Sequence, residues 1–186
     1  MASKIKVDQI QTADGSGTIA LQNQLSGMTT ASMPTGSVLQ MQTYEFAGTE
    51  AFTNVSWTAT SIAVNITPSS ASNKIYVLAT VSCSHPNHGH LALYKDSSAI
   101  SVGTASGSRL GTAGAMNNSG GENSFKEVTM QSLHTAGTTN QITYKVYVTT
   151  TNSGSVSAYI NRTHADTNAV YGSRGVSIIT VTEIKG

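Results

Sequence analysis

The chain has 186 residues, room for one domain of ordinary size with a short appendage, and two independent cores would be crowded. Charged residues make up 10% of it and the net charge is +1 with no Lys/Arg cluster, which excludes the electrostatic footprint of a nucleic-acid binder. A single cysteine excludes an internal disulfide, and no apolar run approaches the roughly 18 residues that cross a bilayer, so membrane insertion is not expected.

With so few charges, the surface must be made polar by Ser and Thr, and the 17 Gly and 3 Pro favour short strands joined by small-residue turns. Disorder is the competing reading of such a composition. A hydrophobic share of 38%, low net charge and apolar residues that alternate in register argue for a folded chain.

The chain opens with MASKIKVDQIQTADG, which lacks the apolar stretch of a signal peptide, so synthesis in the cytosol is expected. Ile5, Val7 and, after a phase slip, Ile10 precede the turn Ala13–Gly17, and Ile19 and Leu21 follow it. That is one hairpin's worth of strand, and a lone hairpin is marginal in water. Residues 1–33 therefore read as an assembly arm that needs the rest of the chain, a sister chain or another protein to order it.

From about Thr35 a strand-and-turn rhythm repeats to the end. Strands are expected at Ser37–Phe46, Ala59–Thr67, Lys74–Ser84, Gly89–Lys95, Ala99–Gly103, Ser124–Leu133, Asn140–Thr149, Ser155–Asn161 and Val176–Ile184. No stretch has helical periodicity. The expected fold is all-β: an antiparallel β-sandwich or jelly roll over 35–186, with a short extended N-terminal arm or hairpin. Cys83 falls in phase with Ile75, Val77, Ala79 and Val81 and reads as a small core residue. The last strand carries apolar groups on both faces, which places it centrally or under a neighbour's surface. Trp57, Phe46, Phe52 and Phe125 are the expected core aromatics. Residues 104–123 break the rhythm, with almost no apolar anchors except Leu110 and Met116, and form either a projecting contact loop or a disordered excursion.

The only dense set of metal-capable side chains is His85, His88 and His90. Three imidazoles within six residues could ligate zinc, copper or nickel, but no fourth ligand is identifiable and a polar turn between strands explains them as well, so no cofactor is expected. The nine carboxylates form no close pair in the sequence, and nucleophile-elbow, phosphate-loop and dinucleotide fingerprints are absent from any strand-to-helix context, so no enzyme is expected. Tyr159, Arg162, His164, Tyr171 and Arg174 have the composition of a recognition surface, including one for carbohydrate.

Lys4–Gln11, Asp14–Leu21 and Pro34–Gln40 together resemble the start of fibre-like virion structural proteins of tailed phages, particularly those of marine bacteria and cyanobacteria. His90–Asp96 and the closing Ile178–Ile184 are similar to the trimeric jelly-roll heads of such proteins, which share the architecture of complement C1q and tumour necrosis factor domains. The resemblance implies a homotrimer on the virion whose arm, residues 1–33, docks on other virion proteins or trimerises, and whose head, about 35–186, touches a host surface glycan or protein. The chain lacks the repetitive shaft of a true tail fibre, which makes a capsid decoration protein the main alternative. A carbohydrate-active tail spike is a third, of another class.

Overall fold

Alternation along Lys74–Ser84 dictates the centre of the molecule. Ile75, Val77, Ala79, Val81 and Cys83 point one way and are fully buried, while Tyr76, Leu78 and Thr80 point the other. The computed structural model describes residues 29–117, 121–151 and 157–186, and contacts divide the chain into two units, Met1–Met33 and Pro34–Gly186. Of the first unit only its end is described, a single 3-10 turn over Thr30–Ser32 closed by the Ser32 hydroxyl bonding to Thr29. The arm residues Ile5, Val7, Ile10, Ile19 and Leu21 lie outside the described residues.

The second unit is an antiparallel β-sandwich. Its strands are β1 (Val38–Phe46), β2 (Glu50–Phe52), β3 (Thr58–Ile66), β4 (Lys74–Ser84), β5 (His88–Lys95), β6 (Ser98–Ile100), β7 (Gly114–Asn117), β8 (Lys126–Thr135), β9 (Ile142–Thr150), β10 (Ala158–Ile160) and β11 (Ser177–Ile184). One sheet has the order β1-β11-β4-β10-β2, with β8 on the other edge of β4. The second has the order β3-β9-β5-β6, with β7 also on β5. The last strand is interior, between β1 and β4, as its two apolar faces require.

Both sheets contain a broken strand line. β11 pairs with residues 74–80 of β4 and β10 with Cys83 and Ser84 on the same edge, so the chain leaves the sheet between them over residues 161–176. β6 and β7 likewise share one edge of β5, with residues 101–113 leaving between them.

The core is aliphatic, and Tyr144 is the one aromatic among its fully buried large side chains. The expectation for Trp57, Phe46, Phe52 and Phe125 is corrected: all four are only partly buried, with Phe46 and Phe52 packed on the rim of the core. A sandwich is about 10 Å thick, and branched aliphatics from two facing sheets fill that space without large rings. β2 and β7 were not expected. β2 has three residues, and β7 is Gly-Ala-Met-Asn, too short to show alternation. Its Met116 enters the core because Gly89 opposite leaves room; a Cβ on Gly89 would lie 2.8 Å from Met116 Cγ.

Glu183 is fully buried and has no ion-pair partner among the described residues. Instead it accepts hydrogen bonds from Gln40 Nε2 (2.6 Å), Asn73 Nδ2 (2.6 Å), and the Ser69 amide (2.7 Å) and hydroxyl (2.9 Å). These tie β1, the β3–β4 turn and β11 together, and Asn73 Oδ1 also receives the Gly186 amide. Burial alone would raise the pKa of this carboxyl, but the bonds from Asn73, Gln40 and Ser69 outweigh it and hold the pKa below the usual value. A depressed carboxyl pKa stabilises the fold above the unfolded value, and that stability is lost as pH falls through the folded pKa. Glu183→Gln turns an amide N–H toward existing donors and is expected to cost about 2–4 kcal/mol at neutral pH. Urea titrations at pH 7 and at pH 3 check this: wild type loses stability on acidification below about 4.5, and the variant loses less.

Candidate functional site

Two places carry chemistry that the sandwich itself does not need, and both sit on the excursions. The longer excursion begins at Asn161, which is fully buried with φ of 59°. Its Nδ2 donates to the carbonyls of Phe46 (2.6 Å) and Gly48 (2.8 Å), and its Oδ1 accepts from Ser177 Oγ (2.6 Å). Its backbone amide donates to Ser82 O and its carbonyl accepts from Gly175 N. Gly175 itself has no room for a side chain, since a Cβ there would lie 2.7 Å from the Ser82 side chain.

Beyond this base, Arg162 lies over the Tyr159 ring with its guanidinium carbon 4.3 Å from the centroid, and His164 packs on the same ring at 5.5 Å. Asp166 receives Arg174 at 2.8 Å and Arg162 at 3.5 Å. Thus Tyr159, Arg162, His164 and Arg174 come together as the sequence suggests, joined by Asp166, which the sequence reading did not single out. Tyr171 is exposed and makes no ring or polar contact with them among the described residues. A shallow cavity of about 340 Å³ borders Asp166, Asn168 and Arg174.

The imidazoles separate. His85 is fully buried, with Nδ1 accepting from the Asn87 amide, while His88 is exposed at the start of β5 and His90 lines the outer surface of the five-stranded sheet. No group of three His, Cys, Asp or Glu able to hold a metal ion occurs among the described residues. Burial pushes the His85 pKa down to about 4, helped by the neighbouring His88, His164 and His90. His85 Nε2, His90 Nδ1 and His164 Nδ1 are buried without a partner among the described residues. Cys83 is equally inert as a nucleophile: burial pushes its thiol up to about 12 against a small lowering by Lys126.

A second polar chain was not legible in the sequence. Ser101 Oγ donates to Ser132 Oγ (2.8 Å), which meets His134 Nδ1 at 3.3 Å, and His134 Nε2 bonds to Tyr144 Oη at 2.8 Å. It joins β8 to β9 across the sandwich and lines neither cavity, so its evident work is to satisfy the core tyrosine. Only the inward phase of His134 on β8 hints at it.

Of residues 104–123, those up to Thr112 belong to an exposed hairpin and Gly114–Asn117 form β7, while 118–120 lie outside the described residues. Residues 103–112 form a closed hairpin, with Gly103 N to Thr112 O and reciprocal Ser106–Arg109 backbone bonds, and Ala113 N returns to Leu91 O before β7 begins. Comparison with known proteins finds no family model that matches the chain and no curated protein similar to it.

Two measurements test the site. Asn161→Gly keeps the backbone conformation but takes the side-chain donor from the part-buried carbonyls of Phe46 and Gly48 and the acceptor from the buried Ser177 hydroxyl, which is expected to cost about 2–4 kcal/mol; Asn161→Ala adds about 1 kcal/mol for a positive φ. The order of the two midpoints in denaturant checks the conformational part. For His85, a folded pKa below the usual value means that stability is full above about 6.5 and falls as pH drops toward 4, because only the unfolded chain takes up the proton. Thermal unfolding between pH 7 and 4.5 should therefore show a falling Tm, and His85→Gln should flatten that slope.

Proposed function

We propose that the chain is a non-enzymatic virion structural protein that works as a homotrimer, with the arm of residues 1–33 docking it on other virion proteins and the sandwich head exposed for contact with a host surface. The observation that carries this reading is the outward face of the six-stranded sheet. Residues opposite one another on antiparallel strands share a face, so the pairs Met41–Thr182, Thr43–Thr180, Thr180–Leu78 and Tyr76–Leu133 lie on one surface. Met41 is 62%, Leu133 63% and Ile178 37% exposed there, and the polar residues between them bond to one another, as Thr43 with Thr180 and Tyr76 with Gln131.

Charges on this face are confined to its margins, as Glu45, Lys74 and Glu127. A flat, uncharged, apolar-studded sheet face suits burial against a copy of itself, because little charge must be desolvated and the side-chain hydroxyls are already paired. The low charge of the whole chain agrees with a protein that buries much of its surface on assembly.

A capsid decoration protein is the second reading and would use the same face and the same arm. Deleting residues 1–33 separates the two roles: a decoration protein loses particle binding and particle stability, whereas an attachment head continues to adsorb to cells.

Self-association is checked by light scattering. The intact chain is expected at three times its monomer mass, and Met41→Glu combined with Leu133→Lys is expected to give folded monomer with unchanged far-ultraviolet circular dichroism. A wild-type chain that scatters as a stable monomer would sink the reading.

A further inference from the structure

The larger cavity lies on the opposite side of the sandwich, against the outer surface of the five-stranded sheet. It measures about 660 Å³, the size of a small-ligand site. Its floor is His90 on β5 with Ala115 beside it on β7; the pairing of His90 with Ala115 and Thr149 puts these on the outer face, while Leu91 and Gly89 alternate inward. Thr150 and Thr151 form one wall. The hairpin of residues 103–112 forms the other and brings Ser108, Arg109, Leu110 and Thr112 to the cavity.

Three features of this wall are chemical. Four hydroxyl-bearing residues and an imidazole line the space, with Thr150 and Thr151 already donating to the carbonyls of Asn54 and His88 and so able only to accept from a ligand, and no carboxylate lines it among the described residues. Leu110 and Ala115 supply an apolar surface, with Leu110 49% exposed although nothing in the fold requires an exposed leucine there. Arg109 is held in place by its own hairpin: Nε donates to Ser106 O at 3.1 Å and one terminal nitrogen to Ser106 Oγ at 3.3 Å. That leaves the remaining guanidinium N–H groups without a partner among the described residues, on a side chain already fixed in orientation. Fixing it beforehand lowers the entropy lost on binding an anion.

We propose that this cavity binds a carboxylate-bearing sugar, such as a uronic or sialic acid unit of a surface glycan, with Arg109 on the carboxylate, the Ser, Thr and His90 groups on the sugar hydroxyls, and Leu110 and Ala115 against an apolar sugar face. Neutral sugars satisfy the hydroxyls but leave the arginine unmatched; simple carboxylates do the reverse. The site faces away from the sheet proposed for self-association, so trimer formation leaves it open. The inference deepens the surface-contact role proposed above and rests on it only for the source of the glycan.

Isothermal titration of the intact protein with tri-galacturonate and sialyl-lactose, beside lactose and acetate, tests it. Binding is expected for the two acidic sugars and not for lactose or acetate, and Arg109→Gln, on an exposed hairpin, is expected to weaken it about ten- to a hundredfold, the loss of a charge-assisted contact. Ala115→Phe, which fills the floor, should abolish it. Equal binding of lactose, equal binding of acetate, no binding of either acidic sugar, or unchanged affinity in Arg109→Gln would each overturn the proposal. Light scattering on the same samples reads self-association separately, so a failed sugar site and a failed trimer are told apart.

Discussion

Asn161 is the residue on which the longer excursion from the sandwich depends. A strand that leaves a sheet strands the ladder partners it abandons, and here the abandoned carbonyls are Phe46 and Gly48, at the junction of β1 and β2. The Asn161 side chain supplies the missing donors, while its backbone turns through a left-handed conformation that asparagine tolerates better than most residues. Ser177 completes the closure by giving its hydroxyl to Asn161 Oδ1 and accepting the Ser82 amide. The sheet is thereby sealed beneath the excursion, and residues 162–174 are free to carry Arg162, His164, Asp166 and Arg174 without disturbing β4.

The same plan operates at the edge of β5, where β6 and β7 are collinear and the hairpin of residues 103–112 leaves between them. The chain contains three arginines, Arg109, Arg162 and Arg174, and all three lie on these two excursions. Arginine combines permanent charge with a rigid donor fork and is the side chain suited to recognising planar anions. The strands, by contrast, are built from Thr, Val, Ile and Ala with few charges. Scaffold and contact chemistry are thus partitioned along the chain: strands bury or pair their groups, and excursions keep theirs available.

That partition explains what the sequence disclosed. Long strands with strict alternation were legible almost to the residue, as Lys74–Ser84 and the apolar phase of Cys83 illustrate, because burial on one face imposes a period of two. β2 and β7 were not, since three or four residues cannot display a period. Part of the cluster around Tyr159 was legible from composition alone, because Tyr159, Arg162, His164 and Arg174 lie close in the chain. The cavity was not: its lining comes from β5, the hairpin of residues 103–112, β7 and the end of β9, and only pairing on β5 brings them together. Glu183 was equally hidden, since an in-phase glutamate on an apolar strand reads as a solvated position until its four donors are in place.

The imidazoles bear on how those excursions are charged. His85 has His88, His164 and His90 as its electrostatic neighbours and no carboxylate among them, and burial lowers the pKa of His85 and of His90. At neutral pH both are therefore uncharged, His85 inside the fold and His90 on the floor of the larger cavity, and neither adds a cation. The fixed positive charge of the two excursions is then that of the three guanidiniums: Arg174 and Arg162 share Asp166 at 2.8 Å and 3.5 Å, while Arg109 has no acidic partner among the described residues. Two guanidiniums against one carboxylate leave the longer excursion with the same single net positive charge as the hairpin of Arg109, so the two differ in pairing and not in charge. An anion meets an unpaired guanidinium at the hairpin, whereas beside Tyr159 it must compete with Asp166 for Arg162 and Arg174.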